Sequence, residues 1–288
     1  GAFMVEVERV PSIVEEPPAT CRCLAVSLTP MNLGGGKTQN ASDDDIEICK
    51  VCSLQTSRPE PNLVLDLKFD LPLPFNYRCA RDGLKAQRRP GVPEPDLTGL
   101  SDLMISGSGQ ITGKGLKWIF AHLGMSPDKV IVVDLRQEGH GFASDRPLTY
   151  HAMFNWANVG KTHEWIIADE ARRLAMFEKQ ECTRFYEEVK SPANPDGVIV
   201  PHRTIPVIHN CVGLTEKALV ESQGAHYQRF TITDHARPAD DMVDRFTDMV
   251  RHLPPRRNLH MHCRAGRGRT TMFMCMVDML HNAPRVAF

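Results

Sequence analysis

His262-Cys-Arg-Ala-Gly-Arg-Gly-Arg-Thr270 is the stretch whose reading decides the fold. Five residues separate Cys263 from Arg269, and Thr270 closes the run. These are the parts needed to break a phosphate monoester. Cys263 is the candidate nucleophile. The backbone N–H groups from Arg264 to Gly268 can curl around three phosphate oxygens, because Ala265, Gly266 and Gly268 leave room for close approach. Arg269 can grip two of those oxygens with its planar fork. Thr270 offers a hydroxyl to the departing sulfur. The plain alternative is a buried cysteine before a glycine turn.

The flanks favour the chemical reading. Asn258-Leu-His-Met-His262 reads as a short buried strand leading into the loop. Beyond it, Met272, Phe273, Met276, Val277 and Leu280 recur at helical spacing, which predicts a helix from about Gly268. The loop then rests on a helix N-terminus, where N–H groups and the dipole favour an anion and activate a thiol as thiolate.

A chain of 288 residues, 42% hydrophobic and 24% charged, suits a globular protein of one large domain or two small ones. A formal net charge of −1 points to neither nucleic acid nor membrane, and no apolar run approaches a membrane span. A monomer acting on a small molecule is expected. Gly1-Ala-Phe-Met4 reads as a cloning remnant, since Glu6 and Glu8 interrupt any signal-like run. Nine scattered cysteines imply a reducing setting, which also suits a catalytic thiolate. Cys21-Arg-Cys23 with Cys49-Lys-Val-Cys52 could form a zinc site, but the C-x-C half is unusual and the region irregular, so no metal and no cofactor are expected.

Breakers dominate residues 1–62, read as an irregular extension with a strand at most over Cys23–Leu28; a phosphatase-type domain is expected over 63–288. Alternation from Asn62 to Leu71 predicts a strand. Ser106-Gly-Ser-Gly-Gln110 reads as a loop, and Leu116, Ile119, Phe120 and Leu123 as a helical stripe capped by Gly124. Val130-Ile-Val-Val-Asp134 is the run of a strand buried on both faces, so the polar segment after it lies where open α/β sheets bind ligands. Glu164–Lys190 is expected to form one long helix, and Val198–Val207 two short strands. A helix follows over Leu214–Ser222, a strand over Ala225–Thr231, and an amphipathic helix stopped by Pro254-Pro255.

Attack by a thiolate needs a proton donor for the leaving alkoxide, and a base for the water that follows. Thr233-Asp-His-Ala-Arg-Pro238 ends a predicted strand and precedes Cys263 by about one helix-and-turn. Asp234 is the candidate acid, with His235 beside the leaving group. Asp234 could instead cap the next helix, but Asp240 and Asp241 are better placed for that.

Thr-Asp-His-x-x-Pro, a helix, then Leu-His-x-His-Cys-x-x-Gly-x-Gly-Arg-Thr-Thr resembles the protein-tyrosine-phosphatase-like inositol phosphatases, or cysteine phytases. Leu103–Gln110, Asp134–Gly141, Trp156–Lys161 and, less closely, Phe75-Asn-Tyr-Arg78 are similar to further blocks, so the likeness covers roughly 70–284. It implies an α/β tyrosine-phosphatase core, a central mixed sheet flanked by helices, with a small partial β-barrel to which 191–226 contribute. It also implies metal-free, stepwise dephosphorylation of myo-inositol hexakisphosphate. Cys263, Arg269, Asp234, His235 and Thr270 take the catalytic roles. Arg78, Arg136, His140 and Lys161 are expected to contact peripheral phosphates, and the basic Arg264 and Arg267 suit a polyanion.

A tyrosine or dual-specificity phosphatase is the alternative within enzymes; His235 and the basic loop speak against it. A non-catalytic phosphate-binding module is the alternative of another class, opposed by intact Cys263, Arg269 and Asp234. A sulfur transferase needs neither Arg269-Thr270 nor an upstream acid. Some members of the family it resembles are exported bacterial enzymes, and others resemble effectors injected into plant cells by bacterial pathogens. The loose extension and free thiols favour the second setting.

Overall fold

The computed structural model describes residues 62–66, 72–83, 91, 96–179, 182–183, 185–187, 203–204 and 208–286. The extension expected over 1–62, with its four cysteines, lies outside them apart from Asn62, as does most of 191–207.

The chain opens with β1 (Asn62–Leu65), β2 (Arg78–Cys79) and β3 (Ile105–Ser108). Helix α1 (Gly113–Leu123) starts at Thr112, whose hydroxyl accepts from Gly115 N, and ends at Gly124 in the left-handed region. Then come β4 (Val130–Asp134), β5 (His140–Ala143), β6 (Arg146–His151) and α2 (His163–Ala175). Short strands follow: β7 (Cys182–Thr183), β8 (Tyr186–Glu187), β9 (Arg203–Thr204), β10 (Ile208–His209) and β11 (Gly213–Leu214). The chain closes with α3 (Glu216–Ser222), β12 (His226–Arg229), α4 (Asp240–Arg251), β13 (Asn258–His262) and α5 (Gly268–Asn282).

The central sheet runs β12-β4-β13-β3-β2, parallel except for its edge strand β2. Alternation in β4 divides the core between its faces. Val130 and Val132 pack with Leu116, Ile119 and Val220. Val133 packs on the other face with Phe230, Phe246, Phe273 and Val277, from β12's exit, α4 and α5. That accounts for the unbroken apolar run. A second, open sheet runs β11-β5-β6-β1-β8-β9, and α2 sets Leu174 against Leu63, Leu65, Leu148 and Tyr150 on it. No barrel closes among the described residues. This is the mixed α/β architecture expected. Among the described residues no helix is long and apolar enough to cross a membrane.

Three expectations are corrected. Ser106-Gly-Ser108 is not a loop but the body of β3, an inner strand of the sheet between β13 and β2. Its residues are small because α5 crosses close by: a Cβ on Gly107 would meet Met274 Sδ at 2.6 Å and Thr270 Cγ2 at 2.7 Å. The long helix over 164–190 stops at Ala175, and β7 and β8 follow. Phe177 and Phe185 are buried with Leu63 and Leu65, and this burial outweighs local helix preference. Asp240 and Asp241 do not cap α4; Ala239 holds that position, and the two carboxylates sit in the first turn, complementing the dipole.

Candidate active site

Strand β13 delivers Cys263, 3% exposed, to the mouth of a tight loop that runs directly into α5. Gly266 has φ +70, and a Cβ there would sit 2.2 Å from Gly109 N and 2.3 Å from Ser108 C. Both the dihedral and the space demand glycine.

The loop's carbonyls are tied outward one after another. Gln110 N donates to Arg264 O at 3.0 Å. Asn76 Nδ2 donates to Ala265 O at 2.8 Å, and Arg78 Nη1 to Gly266 O at 2.7 Å. Peptide planarity then turns the opposing N–H groups of Ala265, Gly266 and Arg267 toward the concave side. Helix α5 adds its N-terminus there without a capping side chain. Thr270 Oγ1 donates to Cys263 Sγ at 3.2 Å, the geometry expected for steadying a thiolate.

Arg269 is 4% exposed and shared between two acids. Its Nη1 and Nη2 donate to Glu138 Oε2 and Oε1 at 2.7 and 2.9 Å. Nη2 also lies 3.1 Å from Asp234 Oδ2. Its Nε is buried without a hydrogen-bond partner. A buried donor left unbonded costs stability, so its persistence beside the nucleophile marks where an anion belongs. Burial alone would raise the Glu138 carboxyl, but Arg269 and Arg136 outweigh it and hold that group far below its ordinary range.

Asp234 is positioned from outside its own loop. Asn155 Nδ2 donates to Asp234 Oδ2 at 2.8 Å, and Trp156 Nε1 to Asp234 O at 2.9 Å. His235 follows in the left-handed region, exposed, its ring 6.4 Å from that of Phe154.

Behind the loop runs a chain of alternating charges. Arg136 Nε donates to Glu138 at 2.9 Å and its Nη1 to Asp66 Oδ2 at 3.0 Å; Asp66 Oδ1 accepts from Arg264 Nε at 2.8 Å. The sequence Arg269, Glu138, Arg136, Asp66, Arg264 thus leaves the phosphate loop and returns to it. Burial would raise the Asp66 carboxyl, but Arg136 and Arg264 bring it down to about 2.

The sequence-predicted residues separate accordingly. Cys263, Thr270, Arg269 and Asp234 are brought together, and Ala265, Gly266 and Gly268 shape the loop. Arg78 braces the loop from behind, with Nη2 on Thr271 Oγ1 at 2.7 Å. Arg267 is exposed at the loop's rim, whereas Arg264 is drawn inward to Asp66. Arg136 and His140 are corrected: both are 0% exposed, so neither reaches a peripheral phosphate. Arg136 also donates to Gln110 and Thr149, and the His140 ring bonds Glu138 O. Lys161 lies over the Trp165 ring at 4.8 Å, beside α2, with no contact to the loop.

The sequence alone does not mark Glu138, Asn155 or Asp66 as site residues. Glu138 stands in the polar run after β4, a position that could have flagged it; Asn155 and Asp66 carry no local signal.

Asp134, His140 and Glu216 also bring ligand-type atoms within 4.8 Å of one another, all buried. Their oxygens already accept from Tyr227 (2.6 Å), Gln110 (2.6 Å) and His262 (2.5 Å), and Arg229 Nε lies 3.2 Å from Asp134. The protein's own cations compensate this cluster. Burial would lower His262, but Glu216 prevails and raises it.

Comparison with known proteins places the chain among phosphatases. The chain is 36% identical over 187 residues to effector protein hopD2 of Pseudomonas syringae pv. tomato (strain ATCC BAA-871 / DC3000), covering 64% of this chain and 38% of that protein. It superposes on the PTP-like myo-inositol phosphatase of Mitsuokella multacida, solved in complex with myo-inositol-(1,3,4,5)-tetrakisphosphate. The TM-score is 0.71 at 32% identity, over 81% of this chain and 38% of that one. A PTP-like phytase from Bdellovibrio bacteriovorus gives a TM-score of 0.56 at 33% identity, over 81% and 75% of the two chains. The chain therefore spans about two-fifths of the length of the first two of these relatives. The profile of the PTP-like phytases, described by inositol hexakisphosphate, matches residues 133–281, just over half of the 288. With its phosphate loop, helix and acid loop within that match, the chain belongs to the PTP-like phytase family.

Proposed function

We propose that this protein removes phosphates from myo-inositol hexakisphosphate and lower inositol polyphosphates through a cysteinyl-phosphate intermediate. The observation that carries the reading is the preformed loop: outward-tied carbonyls, Thr270 on Cys263 Sγ, and the unbonded Nε of Arg269. The Cys263 thiolate attacks phosphorus; an S–P bond forms as the ester P–O bond breaks, and the alkoxide takes its proton from Asp234. Water then attacks the phosphocysteine and gives a proton back to Asp234. The S–P bond breaks, and thiolate and inorganic phosphate result. Charge spreading over the equatorial oxygens is met by the loop N–H groups and Arg269, where most of the rate arises.

Exposed Arg267, on the loop that carries Cys263, favours a substrate with several phosphates. A second reading, a tyrosine or dual-specificity phosphatase, is favoured by one feature: the 44% exposed Trp156 beside Asp234, against which an aromatic ring could stack. Phosphate release from inositol hexakisphosphate and from a phosphotyrosine peptide decides between them. A strong preference for the peptide overturns the first reading, and unchanged turnover in Cys263→Ser overturns both. The likeness to an effector supports action in the cytoplasm of a host cell, to be checked by fractionation of infected tissue.

A further inference from the structure

The segment Met153–Trp156 is unusual in its backbone. Phe154 (φ 55, ψ 17) and Asn155 (φ 62) both occupy the left-handed region. Asparagine tolerates that conformation; a phenylalanine there is strained. Such strain persists only where surrounding contacts determine it. Here three successive side chains engage the same two residues of another loop. The Phe154 ring packs edge-on to His235, Asn155 donates to the Asp234 carboxylate, and the Trp156 indole donates to the Asp234 carbonyl. The segment leaves β6 of the open sheet, whereas Asp234 lies beyond β12 of the central sheet. The acid is therefore held by a part of the molecule that carries neither the nucleophile nor Arg269.

We propose that Asn155 is the positioning residue of the general acid. The proposal rests on the reading of Asp234 as proton donor given above. A neutral amide suits the task. An amide orients the acid by a hydrogen bond alone, beside the Arg269 guanidinium whose Nη2 lies 3.1 Å from the same Oδ2. Asn155 is 6% exposed, and its Oδ1 is buried with no partner. The amide thus offers a donor to the carboxylate and, after a half-turn, an acceptor to the carboxylic acid. Asp234 must pass through both forms in each turnover. The Asn155 side-chain amide donates to Asp234 and acts through it.

The test compares phenyl phosphate, whose leaving group needs a proton, with p-nitrophenyl phosphate, whose leaving group departs without one. Asn155→Ala removes the amide; Asn155→Asp keeps size and left-handed tolerance but replaces the donor with an acceptor, separating the hydrogen bond from the turn. In both, the ratio of phenyl to p-nitrophenyl kcat/KM, which reports only the steps up to release of the leaving group, falls about 10–100-fold, the scale of a misplaced reacting group. Asp234→Asn lowers the same ratio further, and adding Asn155→Ala to it changes the ratio little. A merely structural role scales both substrates together and leaves the ratio at the wild-type value; that result, or multiplying losses in the double variant, overturns the proposal. An Asp234→Asn ratio equal to wild type overturns the underlying acid assignment, and the role of Asn155 with it.

Discussion

Arg269 touches two carboxylates and keeps one nitrogen clear of both. Glu138 holds it by two bonds and fixes the plane of the guanidinium, so the phosphate meets an oriented fork. In Glu138→Gln the buried arginines lose a full counter-charge. We expect stability to drop by about 3–5 kcal/mol in urea unfolding, the scale of a broken buried pair. Arg269→Lys keeps the charge but loses the fork, and turnover should fall about 10²–10³-fold with the folded state retained by circular dichroism. At Gly266 two constraints coincide, a positive φ and backbone atoms of Ser108 and Gly109 where a Cβ would stand. Gly266→Ala should therefore abolish turnover while Gly268→Ala, with nothing within 4 Å of its Cβ position, disturbs the loop far less; equal losses would show that loop space is not what Gly266 provides.

Among the elements, β3 and β13 are joined by an uncharged imidazole. His260 is buried between Ser106 Oγ and Ser108 Oγ, each 3.0 Å from a ring nitrogen. Burial, reinforced by His262 and Arg78, lowers it from 6.5 to about 3. The folded protein thus refuses a proton that the unfolded chain accepts below about pH 6.5. Stability should be flat in this respect above pH 6.5 and fall by up to about 1.4 kcal/mol per pH unit down to about pH 3. His151, brought down to about 4 by burial and Arg264, steepens the fall in the same direction. His260→Gln should remove its share of that slope; an unchanged slope from pH 6.5 to 4 would count against the assignment. Elements were legible where their cause is local. The strand before Cys263, the helix from Gly268, and β4 are written in runs of adjacent or helically spaced side chains. Strand β3 was misread because its composition answers to α5 crossing above Gly107, a partner remote in sequence. The end of α2 was missed because Phe177 and Phe185 answer to β1. For the same reason Cys263 and Asp234 could be found from their motifs, whereas Glu138 and Asn155 acquire meaning only opposite Arg269 and Asp234.

At the scale of the whole molecule, the two sheets meet along the buried charges that run from Arg269 to Arg264. Asp66, at the end of β1, is the member contributed by the open sheet's first strand, and it reaches Arg264 in the phosphate loop. Its carboxyl is held below its unfolded value of 3.8, so its contribution is full above about pH 4 and lost as pH falls toward 2. Asp66→Asn should lower stability at pH 7 by about 2 kcal/mol or more, from the span between 3.8 and 2. Molar salt, which screens buried pairs weakly, should not reproduce that loss in the wild type. If salt and mutation act alike in urea unfolding, the seam is more open than its burial indicates. The same seam has a kinetic corollary. Ion pairs behind the loop and braces outside it hold the N–H cradle in one shape, and that shape suits an arriving ester and a departing inorganic phosphate alike. Accumulating phosphate is therefore expected to compete with the next ester for the same N–H groups. Competitive inhibition by free orthophosphate, weakening in parallel with turnover when Arg78 no longer braces Gly266 and Thr271, is the signature to seek in progress curves.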